Sequence, residues 1–229
     1  MRIATWNCAR GPWSTKREAA EALRADITVI TEAPRAAERE GLLWFGNQYG
    51  QNGTTVLAAP GYQIHALPVA DGVPCVNPVR ITGSHEFTLL LVWTWPAAPF
   101  KNYKEPLLAG LNAYRGLPAP FVLAGDFNGN TIFDRPRSRL AWRTCFAAVE
   151  EFDVISAYHT FFGEAYGSET RPTQYQTRKA SMPFHLDYVF VPSQWRSLLR
   201  DVRVPGFAEF TLSDHRPVIV DVDLASSAV

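Results

Sequence analysis

The sequence predicts an α/β protein in which two mixed β-sheets pack face to face with helices outside. Two observations predict it. Dense apolar, β-branched runs alternate with stretches of helical spacing, and a series of short strand-like runs is divided by Gly, Pro and Asn. A third sets the scale: 229 residues, 47% of them hydrophobic, can bury a large core without disulfides.

The elements follow in order. Arg2–Asn7 reads as a short apolar strand. Ser14–Arg24 has helical spacing, with Ser14 as the expected N-cap. Ile27–Thr31 is β-branched throughout and reads as a second buried strand, so the chain opens strand–helix–strand. Leu42–Phe45, Thr54–Ala58, Tyr62–Leu67 and Val76–Ile81 form an expected antiparallel meander. Glu86–Trp95 reads as a central strand, Tyr103–Tyr114 as a helix, and Phe121–Gly125 as another buried strand. Arg137–Glu150 fits a helix, because Leu140, Trp142, Phe146 and Val149 recur near its period. Strands are expected at Thr173–Tyr175, Phe184–Val191 and Pro217–Val222. No repeat or linker divides the chain, so residues 1–229 are expected to form a single domain, with a tail fraying from Ala225.

Charge narrows the partners. The 22 basic and 22 acidic residues cancel, which argues against a broad basic stripe for duplex DNA but leaves room for a local patch. Cys8, Cys75 and Cys145 are widely spaced and form no CxxC pair, so they read as reduced, buried thiols. No run approaches the roughly 20 apolar residues of a membrane span. Met1 leads directly into a strand rather than a signal peptide. A soluble, cytoplasmic monomer without a membrane partner is expected.

Polar residues gather where strands end. Asn7 closes the first strand and Glu32 the second. Asp126 and Asn128 follow the FVLAG run, and Asp214 and His215 precede the last strand. Side chains at strand ends converge in layered α/β folds. A carboxylate beside an amide can hold and deprotonate a water. Asp187 lies inside an apolar run, where a carboxylate needs a partner, and His215 is the candidate. Glu32 is a hard oxygen ligand suited to Mg²⁺ or Mn²⁺, with Asn7 and Asp214 placed to add oxygen contacts. Taken singly, Asp126 and Asn128 also suit a turn, and Glu32 a loop cap.

Five motifs in order resemble the endonuclease/exonuclease/phosphatase superfamily: TWN (Thr5–Asn7), TE (Thr31–Glu32), GDFN (Gly125–Asn128), LDYVF (Leu186–Phe190) and SDHRPV (Ser213–Val218). NGTTV at Asn52–Val56 and the run from Ser156 to Thr173 look like its small stand-alone bacterial members. The resemblance implies a four-layer αββα sandwich and divalent-metal phosphoester hydrolysis. By position, Asn7 would hold the substrate and the site network, and Glu32 would be the main metal ligand. Asp126 would activate water, Asn128 would contact phosphate, and Asp214 would sit at or near the metal. Asp187 and His215 would stabilise phosphoryl charge.

Two departures stand out. Ala9 replaces a polar residue that many members carry, and Trp93–Trp95 offer no histidine or hydroxyl-bearing ring as an acid. His159 and His185 are candidate substrate-binding residues, His185 because alternation puts it on the face of Asp187. Arg10 is a candidate phosphate contact, in a possible rim with Lys16, Arg17, Arg171, Arg178 and Lys179. Trp93 and Trp95 should occupy opposite strand faces, leaving one as a platform for a base. The leading expectation is a Mg²⁺-dependent nuclease. A phosphatase or phosphodiesterase on a small molecule or lipid headgroup uses the same motifs, and a non-catalytic binding module is the contrasting class.

Overall fold

The computed structural model describes residues 1–47 and 50–224. Strand β1 (Arg2–Asn7) is followed by helix α1 (Trp13–Glu21) and by β2 (Ile27–Pro34), which pairs with β1 in parallel. A single helical turn, α2 (Ala36–Arg39), leads to β3 (Trp44–Gly46) and β4 (Asn52–Ala58). The chain then enters a second sheet through β5 (Tyr62–Ala66), β6 (Val76–Gly83) and β7 (Phe87–Trp93). Helix α3 (Lys104–Tyr114) makes the crossover to β8 (Phe121–Asp126), parallel to β7. Helix α4 (Trp142–Glu150), β9 (Val154–Ser156) and α5 (Ala157–Phe162) follow. A small hairpin, β10 (Gln174–Tyr175) and β11 (Pro183–Phe184), precedes β12 (Asp187–Pro192). Strands β13 (Leu199–Arg203) and β14 (Val218–Val222) return to the first sheet.

The two six-stranded sheets run β13-β14-β1-β2-β4-β3 and β5-β6-β7-β8-β12-β9. Their facing residues form one apolar cluster, with Ile3, Val29 and Val220 on one side and Leu89, Val122 and Val189 on the other. The outer faces are covered by helices. Trp6 and Ile30 pack on Trp13 and Ala20 of α1, while Leu123 and Phe190 pack against Leu107 of α3 and Phe146 of α4. The order is helix, sheet, sheet, helix, as expected. Each fully buried large side chain contributes about 1.5–3 kcal/mol through removal from water.

Several boundaries differ from the sequence expectation. The first helix begins at Trp13 rather than after Ser14, because its first hydrogen bond runs from Lys16 N to Pro12 O, which makes Pro12 the cap and leaves Ser14 inside. The expected meander is split: β3 and β4 belong to one sheet, β5 and β6 to the other. Helix α4 starts at Trp142 rather than Arg137, because the Asp134 carboxylate accepts from Trp142 N and Arg143 N and fixes the helix start there. The expected strand Phe184–Val191 is broken in two. Thr173 Oγ1 accepts from Leu186 N (2.8 Å) and Asp187 N (3.0 Å), which removes those amides from a continuous ladder. The expected tail from Ala225 lies outside the described residues. No helix of the described residues is long and apolar enough to cross a membrane.

Candidate active site

The strand alternation that places Ile3, Val122 and Val189 between the sheets carries Asn7, Asp126 and Asp187 to the same face at one end of the sandwich. Asp126 and Asp187 are register partners on adjacent antiparallel strands. Gly125, just before Asp126, lets β8 lie against Val92 of β7. Its φ is +148°, and a Cβ there would lie 1.7 Å from Val92 O. Glu32 reaches the same corner through an irregularity. The β2–β4 register shifts between Ile30 and Ala33, and Glu32 sits at φ 53°. This bulge re-aims a side chain that simple alternation would place elsewhere.

One amide ties the corner together. Asn7 Nδ2 donates to Asp126 Oδ2 at 2.8 Å and to Glu32 Oε1 at 3.1 Å. Asn128, in the left-handed region at φ 48°, donates its backbone N–H to Asp126 Oδ1 (2.8 Å) and its amide to Asp126 Oδ2 (3.0 Å) and Thr94 O (3.0 Å). As placed, Asn128 orients Asp126 more directly than it could reach a phosphate. Thr94 Oγ1 donates to Phe127 O and anchors the same turn.

His215 Nδ1 lies 2.8 Å from Asp187 Oδ2, and both side chains are buried. Burial alone would lower the imidazole pKa, but the Asp187 carboxylate, with Asp126 and Asp214 beyond it, holds it up at about 10. The ring is therefore an imidazolium at neutral pH, with Nδ1–H donated to Asp187. Asp126 is raised as well, but for a carboxyl this favours the neutral form: burial, and then the nearby Asp187 charge, push it up to about 7. Ser213 fixes the histidine loop to β1, its hydroxyl donating to Asn7 O (2.8 Å) and accepting from His215 N (2.9 Å).

The donor set suits a hard divalent cation. Ligating atoms of Asp126, Asp187 and His215 lie within 4.8 Å of one another. Asp187 Oδ1 is buried with no hydrogen-bond partner, an arrangement whose cost a cation would offset. The protonated ring of His215 disfavours that residue as a ligand, whereas the half-buried Glu32 carboxylate offers oxygen beside Asn7. Asp214 is half-buried and outside that group, and its Oδ1 is 3.4 Å from Ser213 Oγ.

The remaining candidates are placed differently. Arg10 is exposed and its Nε is 3.3 Å from Glu32 Oε2. His159 has both ring nitrogens engaged, with Ser156 Oγ at 2.7 Å and Glu169 Oε1 at 3.0 Å. His185 is buried against Tyr158 and Tyr188, its Nδ1 on Arg171 O, and burial takes it down to about 4. Neither histidine is hydrogen-bonded to Asn7, Glu32, Asp126, Asp187 or His215 among the described residues. In the imagined basic rim, Arg17 and Arg171 are paired to carboxylates, and Lys16 is buried with its ammonium on Leu212 O. The Trp93 and Trp95 rings meet at 4.7 Å, which corrects the expectation of opposite faces, because side chains two residues apart in a strand point to the same face. Thr94, Thr173 and Ser213 act as hydrogen-bonding hubs here, a role that nothing in the sequence marks, although Ser213 opens the SDHRPV motif. A larger cavity of 660 Å³ between α1 and β4–β5 has none of the site residues in its wall.

The model of the Endonuclease/Exonuclease/phosphatase family matches residues 4–215. The chain belongs to this family. Members of the endonuclease/exonuclease/phosphatase family are hydrolases acting on phosphoester bonds. No curated protein sequence matches the chain. Among solved structures, it is similar to the 3' phosphatase NExo from Neisseria bound to a product DNA hairpin, at 22% identity over 98% of this chain and 100% of that one, with a TM-score of 0.72. It is also similar to an AP endonuclease from Archaeoglobus fulgidus, at 15% identity over 98% and 100% of the two chains, with a TM-score of 0.70. The AP endonuclease LMAP from Leishmania major gives 17% identity, coverage of 96% and 86%, and a TM-score of 0.67. At these identities the likeness establishes the fold.

Proposed function

We propose that this protein is a divalent-metal-dependent phosphodiesterase that cleaves nucleic acid by in-line attack of water. The observation that carries the reading is the Asn7 amide bridging Glu32 and Asp126 beside the buried Asp187–His215 pair. Phosphoryl transfer needs alignment and charge neutralisation more than covalent help, and this corner offers both.

Glu32 is the residue that would hold the metal, with Asn7 beside it and the Asp126 and Asp187 oxygens within the same pocket. A bound Mg²⁺ or Mn²⁺ would supply Lewis-acid neutralisation of phosphate charge. Asp126, held by Asn7 and Asn128, accepts the proton of the attacking water at a carboxylate oxygen. Its position near pH 7 suits a general base. His215 donates from Nε2, which has no hydrogen bond among the described residues, to a non-bridging phosphoryl oxygen. Asp187 keeps the ring charged and oriented. Arg10, 3.3 Å from Glu32, would meet a phosphate once freed from that carboxylate.

Neighbours described as a 3' phosphatase bound to product DNA and as AP endonucleases support a nucleic-acid substrate. A panel of single-stranded DNA, duplex DNA, RNA, and inositol and nucleotide phosphates tests it. Metal-dependent cleavage of an internal or terminal phosphodiester of a polynucleotide is expected. Turnover confined to small monoesters would overturn the nuclease reading.

A further inference from the structure

The chain is neutral overall, yet three exposed arginines without a carboxylate partner fall within five residues of one loop. Many surface arginines sit against carboxylates instead: Arg2 on Asp221, Arg17 on Glu21 and Glu40, Arg171 on Glu164, Arg200 on Asp223. Loop 134–141 breaks that pattern. It carries Arg135, Arg137 and Arg139, all exposed, and none of them pairs with a carboxylate among the described residues. The acid of that loop, Asp134, is engaged by the start of α4 and by Arg143. Two further cations flank the same cavity. Lys104 lies in its wall over the Trp142 ring, and Lys179 stands at the tip of the β10–β11 hairpin.

The cavity measures 460 Å³ and touches the active site through Asn128. Four aromatic rings line it, Tyr103, Phe133, Trp142 and Phe184, beside Gln174, Gln176 and Leu186. Phe133 is 41% exposed and its ring meets Phe184 at 5.6 Å. Exposed Ile132 and Met182 extend the apolar surface. Aromatic faces interleaved with unpaired cations are what a flexible polyanion with stackable bases requires. A duplex keeps its bases stacked on one another and offers these rings little.

Resting on the phosphodiesterase reading above, we infer that this rim binds single-stranded nucleic acid. Its phosphates would run along Arg135, Arg137 and Arg139, and its bases would stack on Phe133 and Phe184, feeding the scissile phosphate to Asn128 and Asp126. The neutral total hides this surface because most compensating carboxylates lie elsewhere, and Asp134 is engaged by Arg143 and the start of α4.

Fluorescence anisotropy of the full chain with a labelled oligothymidylate in EDTA reads binding without cleavage. Wild type should bind the single strand at least tenfold more tightly than a duplex of equal length, with strong salt dependence. Replacing all three loop arginines by alanine should weaken binding at least tenfold and flatten the log K against log salt slope by about 2, at roughly 0.7 per phosphate contact. Phe133→Ala with Phe184→Ala should weaken it at least fivefold and leave the slope in place. Circular dichroism melting of each variant should match wild type, since the changed residues are exposed or half-buried. Equal or tighter binding of duplex, preference for phosphatidylserine vesicles over the oligonucleotide, or an arginine variant with wild-type affinity and slope would each overturn the inference. Wild-type hydrolysis of bis-p-nitrophenyl phosphate reads the catalytic proposal separately, so either can fail alone.

Discussion

The middle of the sandwich and its charged end are built from the same strands, on the same faces, with the same burial. Along β1, β8 and β12, Ile3, Val122 and Val189 lie in the middle and Asn7, Asp126 and Asp187 at the end, and all are essentially inaccessible to solvent. In the middle, burial stabilises the fold. At the end it costs free energy, as Asp126 records by its rise to about 7. The difference teaches where function is located: the end keeps charged groups that the middle would reject, and the surrounding amides and hydroxyls hold them there.

The largest expected effect is on rate at the charged end. His215→Ala and Asp126→Asn should each lower turnover by on the order of 10²- to 10³-fold, as loss of a transition-state donor or base does. Steady-state kinetics with circular dichroism on the same samples checks this, and near wild-type rates would dissolve the contrast between the two regions. Val189→Ala probes the middle. It should cost about 1–3 kcal/mol in a denaturant titration through lost burial and a residual cavity, while turnover per folded molecule holds. A large activity loss without a stability loss would show that the middle is not merely scaffold.

The titration of Asp126 sharpens the comparison. The folded protein holds that proton up to about pH 7, whereas the unfolded chain releases it near its ordinary value of 3.8. Between those values the folded state binds more protons, so stability falls as pH rises, by up to about 1.4 kcal/mol per pH unit. Metal-free wild type should show this added slope between about pH 4 and 7, and Asp126→Asn should lack it. His215 acts in the same direction over a higher pH window. Its folded pKa of about 10 exceeds the ordinary 6.5, so its contribution is complete below about pH 6.5 and fades as pH rises toward 10. Superimposable stability–pH curves for wild type and Asp126→Asn would contradict the assigned burial cost. The smallest effect is expected from Ser213→Ala, which removes the hydroxyl between Asn7 O and His215 N. A loss of about 1 kcal/mol in the melting analysis should come with a measurable fall in turnover.

Much of this was legible in the sequence, for a physical reason. Strands that pack on both faces must be apolar, so a polar residue at the end of such a run is conspicuous. Asn7 and Asp126 stand out that way and Asp187 by lying inside an apolar run, and the structure brings them together with Glu32 and His215. What stayed hidden depends on irregular backbone. Alternation does not foresee the bulge that aims Glu32, whereas the meeting of Trp93 and Trp95 follows from alternation itself, which puts residues two apart on one face. His185, two residues before Asp187, should have shared its face, but the chain there is held by Thr173 and lies outside the strand. The basic rim was sought among Arg10, Lys16, Arg17, Arg171, Arg178 and Lys179, yet Arg10, Arg17 and Arg171 are neutralised by Glu32, Glu40 and Glu164, and Lys16 and Arg178 are held by the carbonyls of Leu212 and Thr211. Pairing across the fold decides which cations remain available, and sequence does not display it.

Turnover of bis-p-nitrophenyl phosphate by the purified protein, with Mg²⁺ or Mn²⁺ and again after EDTA, tests the central claim most directly. Hydrolysis that requires the metal, stops with the chelator and returns on re-addition is the expected result. Hydrolysis indifferent to EDTA, or no turnover of this or any other phosphate ester with either metal, would contradict it.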